Sequence, residues 1–327
     1  MFNFSYKYCD HIDYLQQLAK AAGVKVINNR IHLPSSIGTG YIKVIELANG
    51  LQVMINECII NEDVQFSRQP VAYESYTLRF DEVKNLKKFT IQIDEDKLNE
   101  EGQVYSGAFL TNSLIDFTYT ANTGTEDRCI NIYFTLDWLK NYAGINTTDE
   151  AFKQYLSLKT ATLNFEILNF EYRSLMEEIF EIKDDHPMQK VMLQNRVMLL
   201  LENFFRSLYN KMGFQKQKSS VINDATIKRM MQVESILVSN FSSPPPTIPV
   251  LARVAMMSET KLKNLFKTLY GMGLYEYYQK YRMLKARQLL RSKKYSVKET
   301  GMALGFKNLS NFTIAFKKEF NVLPSER

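Results

Sequence analysis

Two clusters of basic and short polar side chains, fifty residues apart, carry the chemistry of this chain. The first comprises Thr260, Lys261, Lys263, Asn264 and Lys267, and the second Lys307, Asn308, Ser310, Asn311, Thr313 and Lys317. Apolar markers fix the offset: Leu262 precedes Phe312, and Phe266 precedes Phe316, by the same fifty positions. At 3.6 residues per turn, Leu262, Leu265, Phe266 and Leu269 share one face, as do Phe312, Ala315, Phe316 and Phe320. The polar clusters then fall on the opposite, solvent-facing side. A helix face of this composition suits the major groove of DNA. Lys reaches guanine acceptors or phosphates, and Asn can pair with adenine through two hydrogen bonds.

Helices must hold those faces. Residues 248 to 255 predict a short helix capped by the Thr247 hydroxyl, followed by a Met256-Met257 turn. Ser258 then caps a second helix reaching about Tyr270. In the second copy Ser296 caps residues 297 to 304, Gly305-Phe306 makes the turn, and residues 309 to 320 form the exposed helix. Residues 275 to 290 predict a long helix joining the copies. Ahead of them, a helix over 227 to 239 stops before Pro244-Pro245-Pro246. One such pair of helices is a weak signal, because any two amphipathic helices imitate it. Two copies on a linking helix are a strong one.

Charge points the same way. The chain has a net charge of +6, yet residues 221 to 327 hold 18 Lys or Arg against 7 Asp or Glu, a net of +11. An imbalance of that size across a domain favours a polyanionic partner.

This segment closely resembles the DNA-binding domain of the AraC/XylS transcription regulators. The resemblance rests on Leu251-Ala252, Ser258, Leu262, Phe266-Lys267 and Gly271 in the first copy. In the second it rests on Gly305-Phe306, Ser310, Phe312, Phe316-Lys317, Asn321 and Pro324, and in the linking helix on Tyr277, Arg282, Ala286 and Leu289-Leu290. It implies two helix-turn-helix units entering successive major-groove segments, and a sensing and dimerisation domain before about residue 220. Three positions depart from the family pattern. Asn321 replaces a glycine and Thr300-Gly301 replaces an aliphatic residue and alanine, which predicts a loosened helix. The end also lacks the usual aromatic.

Upstream, the predicted order is a helix over 9 to 22 closed by Gly23, then strands to about 135. Residues 41 to 47 and 51 to 60 flank Asn49-Gly50, a type I′ hairpin signal. Further strands are predicted over 76–80, 89–93, 104–110, 115–119 and 129–134. Helices follow at Asp137-Trp138-Leu139, over 148–156, 170–182 and 188–212. In the last, Leu193, Val197, Leu200, Phe204 and Leu208 form a stripe expected to pack on the sheet and, in part, to pair with a second copy, since both can hold at once. The fold class is therefore α+β and multidomain. A mainly-β, cupin-like sandwich or barrel (about 24–135) with helices to 212 is followed by a linker (213–224) and an all-α domain with two helix-turn-helix units (225–327).

The expected function is a sequence-specific DNA-binding transcription regulator, an activator responding to an unidentified small-molecule effector. Its expected partners are double-stranded promoter DNA, RNA polymerase and a second copy of itself. Cys9, Cys58 and Cys129 show no paired spacing, and no apolar run or leader signal is present, so the expected location is cytoplasmic with no membrane partner. No cofactor and no metal are expected, since His11, His32 and His186 lie in separate segments. Two alternatives differ in class. One is a constitutive regulator whose first half only dimerises; the other is a cupin-type enzyme, for which no catalytic motif is visible. Arg68, Arg79 and Arg128 are candidates to hold an anionic effector or to form surface pairs.

Overall fold

A run of β-branched and aromatic residues broken by turn formers builds the first half of the chain as sheet. The computed structural model describes residues 1–7, 10–84, 89–93, 96–100, 104–114, 116–145, 166–215 and 224–326. Two units emerge: residues 1–168 with 178–220, and residues 169–177 with 221–327.

In the first unit, β1 (Phe2–Lys7), β5 (Val64–Gln69), β10 (Phe117–Ala121), β7 (Phe89–Ile93) and β8 (Asp96–Glu100) form one sheet, in that order. The second sheet runs β12 (Glu166–Ile167), β9 (Val104–Asn112), β6 (Ser75–Lys84), β11 (Glu126–Thr135), β4 (Gln52–Ile60), β3 (Gly38–Glu46), β2 (Arg30–His32). Strands β1, β5 and β8 were not among the expected ones; β1 pairs with β5 in parallel, a contact that no local pattern announces. The hairpin at Asn49-Gly50 is present, but its connection is the three-residue Ala48–Gly50 turn, with φ of 63° at Asn49 and 79° at Gly50.

Both faces of the larger sheet are buried over the middle of β6, β11 and β4, and they differ in chemistry. Leu78, Phe80, Ile130, Ile132, Val53 and Ile55 are all fully buried on one face. Phe134 on that face meets Phe205 of the long helix α4 (Gln189–Gln215), with ring centroids 6.3 Å apart. The helical stripe Leu193, Val197, Leu200, Phe204 and Leu208 is between 0% and 4% exposed within this single chain. Side chains so enclosed present no area to a second copy. The packing reading describes them in this chain; among the α4 residues whose burial is described, Val191 and Leu199 are exposed large apolar positions.

The other face carries polar groups in cross-strand rows. Arg79 stands opposite Asn131, which stands opposite Met54; in the next row Asp81, Cys129 and Asn56 align. The helix α1 (His11–Ala22) packs here. Asp10 caps it by accepting from the Asp13 N–H, and Gly23 closes it at φ 66°. Gln52 Oε1 accepts from the His11 backbone N–H at 2.9 Å. His11 itself, 1% exposed, places Nε2 3.1 Å from the Asn131 carbonyl. His32 lies in β2 and His186 in the turn before α4. The first unit also contains α2 (Leu136–Asn141), capped by Thr135.

The second unit is helical: α5 (Asp224–Leu237), α6 (Ile248–Val254), α7 (Glu259–Tyr270), α8 (Leu274–Arg291), α9 (Val297–Ala303) and α10 (Leu309–Phe320). Residues 169–177, the start of the helix α3 (Phe170–Glu181) with the residue before it, belong to this unit, whereas the sequence groups them with the first half. The predicted helix over 148–156 and most of the predicted linker fall outside the described residues, as does Cys9.

Candidate nucleic-acid interface

The first exposed helix is fixed to α8 through aromatic packing, the second through arginine side chains of α8 laid over its rings and those of its preceding turn. In the first copy Phe266 stacks on Tyr270 at 4.3 Å and meets Tyr277 of α8 edge-on at 5.3 Å. The Tyr270 hydroxyl donates to the Met230 carbonyl of α5 at 3.1 Å. In the second copy Phe312, Phe316 and Phe320 form a ring ladder along α10. Arg282 of α8 ties down the turn before it: Nε donates to the Leu304 carbonyl at 2.8 Å, and the guanidinium lies 3.7 Å from the centre of the Phe306 ring. The glycine at 301 is not a gap, because a Cβ there would lie 3.2 Å from the Phe312 ring.

The caps define where the polar faces begin. Ser258 accepts from the Lys261 N–H at 3.3 Å, and Asn308 accepts from the Ser310 N–H at 2.7 Å. Ser296 and Glu299 form a reciprocal capping box on α9, and those hydrogen bonds lower the Glu299 pKa. Thr247 occupies the cap position of α6 but its hydroxyl makes no capping bond; Pro at the start of that helix already lacks one of the donors a cap would satisfy. At the far ends Gly271 and Asn321 adopt left-handed geometry, φ 78° and 58°, and donate to the carbonyls of Lys267 and Lys317. Lys267 and Lys317 therefore sit where the helix dipole also favours a cation.

Thr260, Lys261, Lys263, Asn264 and Lys267 are all exposed on α7. Lys307, Ser310, Asn311 and Lys317 are exposed on or beside α10, and Thr313 is half-buried. The structure thus brings the members of each cluster onto one face. Asn308 is the exception in role: its side-chain oxygen is committed to the cap, leaving its NH2 as the donor it can offer. Thr268 is likewise engaged, donating to the Asn264 carbonyl at 2.9 Å.

One residue of this face was missed. Ile314 is 66% exposed on α10 and stands fifty residues after Asn264. The same offset pairs Lys261 with Asn311 and Lys263 with Thr313, so the two faces are chemically distinct. The first offers Lys, Lys and Asn; the second offers Asn, Thr and Ile. The repeat itself carried the signal, since the offset assigns Ile314 to the polar face even though its type suggests core.

Residues 251–327 match the family model described as a helix-turn-helix domain. The C-terminal domain is an AraC-type helix-turn-helix domain. It is 36% identical over 75 residues to the virulence regulon transcriptional activator VirF of Yersinia enterocolitica, covering 23% of this chain and 28% of that one. It is 35% identical over 74 residues to the HTH-type transcriptional regulator GlxA of Rhizobium meliloti, 23% of each chain. A solved AraC-type transcriptional regulator from Chromobacterium violaceum is 28% identical, with a TM-score of 0.29, over 32% of this chain and 92% of that one. The match thus spans about a quarter of the length of the curated relatives. The AraC-type domain is the part of the chain these likenesses cover.

Proposed function

We propose that the chain is a sequence-specific transcription regulator, an activator that binds promoter DNA through α7 and α10. The observation that carries this reading is the pair of capped helices on α8, each presenting an exposed Lys and Asn face. Asn264 and Asn311 read bases, with Thr260, Lys261, Lys263, Ser310 and Thr313 beside them. Lys267, Lys307 and Lys317 contact phosphates, and Asn308 caps α10 while offering its NH2. Two identical copies pair, and the first unit, a cupin-like sandwich, senses a small molecule. Promoter-bound protein engages RNA polymerase in the cytoplasm, and the chain acts by binding rather than by catalysis.

The test is selection of duplexes from a random library by the full chain, followed by affinity measurement over a range of salt. Binding should weaken steeply as salt rises, because each phosphate contact releases counterions. Absence of any salt-sensitive duplex binding refutes the reading.

A further inference from the structure

The inner face of the larger sheet is polar where a sheet packed on another is ordinarily apolar, and it borders a cavity of about 60 Å3. Asn131 is fully buried there, and neither its Oδ1 nor its Nδ2 has a hydrogen-bond partner. Asn56, 8% exposed and diagonal to it across β4 and β11, also leaves Oδ1 without one. Burying such groups unpaired is costly, so they mark a site that a polar guest completes. We propose that this cavity binds a small uncharged molecule carrying a primary carboxamide group.

The open valences select that chemistry. Asn131 offers a donor and an acceptor on one edge, the complement of an amide edge. Asn56 Oδ1 needs a further donor, which the second N–H of a primary amide supplies. A carboxylate has no donor and leaves both asparagine oxygens unsatisfied. It also meets Asp127, which lines the cavity, while of the two lining arginines Arg79 is already paired with Asp81 at 3.1 Å and Arg68 donates to the Asn112 carbonyl at 2.6 Å. Arg128 is engaged by Glu57 and Glu82. Burial holds the His11 imidazole neutral, with its pKa lowered to about 3, so it adds no positive charge to attract an anion. Size limits the guest to a few non-hydrogen atoms, at about 10–15 Å3 of such space for each water-sized group. Ile42 and Ile60, also on the lining, suit a short alkyl tail.

This inference rests on the reading of the first unit as an effector sensor. It is tested on the full chain with propionamide and propionate, which match in size and differ in charge and donors. Propionamide should raise the melting temperature saturably, and propionate should bind at least about tenfold more weakly, the equivalent of one lost hydrogen bond in a buried site. Asn131→Leu, and Asn131→Asp should the first fail to fold, should abolish the propionamide shift. Equal binding of propionate, no saturable propionamide shift, or a shift that survives both variants overturns the proposal. Affinity for a selected duplex separates the two readings. Propionamide that binds without changing it supports the site and refutes effector sensing; propionate that changes it through Asn131 refutes the carboxamide and keeps sensing.

Discussion

Arg173 of α3 places a guanidinium nitrogen 3.1 Å from Glu234 Oε1 of α5, with both side chains about 5% exposed or less. The Tyr277 hydroxyl donates to the same carboxylate oxygen at 2.9 Å, and Arg173 also donates to the Tyr281 hydroxyl at 3.2 Å. Gln288 of α8 reaches Glu177 at 2.6 Å. A segment remote in sequence thereby joins the framework that holds α7. Removing one partner strands a buried charge, so Glu234→Leu should lower unfolding free energy by about 3–5 kcal/mol, while Arg173→Met with Glu234→Leu should recover most of it. Denaturant titration of the three proteins measures this. Additive losses in the double variant would show that the pair does not act as a unit.

Ile314 should set a base preference of its own. An exposed aliphatic side chain on a groove-facing helix makes favourable contact with the thymine methyl group. Ile314→Ala should relax one thymine position in selected duplexes, whereas Asn264→Ala should relax an adenine position, by about 1–3 kcal/mol if the contact is bidentate. Lys267→Ala and Lys317→Ala should weaken all sequences alike. Selection experiments on the four variants distinguish these outcomes, and a new preferred sequence in a lysine variant would contradict its phosphate role.

The helical half was legible because its determinants are local. Ser258 and Ser296 announce helix starts, Gly271 and Asn321 their ends, and the repeat supplies the register. Other features depend on contacts distant in sequence. The parallel pairing of β1 with β5 has no local signature. The polar inner face was hidden because β4 and β11 are buried on both sides, which blurs the alternation that separates inside from outside. Residues 169–177 look like part of the preceding domain until the Arg173–Glu234 contact assigns them elsewhere. The stripe on α4 shows the converse limit: periodicity reveals an apolar face but not whether a sheet or a second copy covers it.

Two groups beside the inner face, the buried His11 of α1 and the partly buried Asp127, should oppose each other as pH falls. Burial lowers the His11 pKa to about 3, so the unfolded chain takes up a proton below pH 6.5 that the folded chain refuses, and stability falls. Burial raises the Asp127 pKa to about 6, so between about 6 and 4 the folded chain binds a proton first and gains stability. The two slopes nearly cancel across that window. Asp127→Asn should therefore expose an acid-side loss on the order of 1.4 kcal/mol per pH unit, and His11→Gln a gain of similar slope. Denaturation curves between pH 7 and 4 supply the check; parallel profiles in all three proteins would refute the assignment.

The two helix-turn-helix turns make the last contrast. Gly305 has φ of 75°, and a Cβ there would lie 2.7 Å from the Phe241 carbonyl oxygen and 2.8 Å from that of Ser242. Met256, in the corresponding turn of the first copy, has φ of 52° with its side chain 74% exposed. Both turns need left-handed backbone, but only the second also lacks room for a side chain. Gly305→Ala should thus cost more than the roughly 1–2 kcal/mol of left-handed strain alone, because backbone must move as well. Met256→Gly should relieve strain and stabilise by up to about 1 kcal/mol, offset in part by the greater freedom of glycine in the unfolded chain. Equal and small effects at both positions, read by thermal or chemical unfolding, would mean that the second turn can shift away from Phe241 and Ser242.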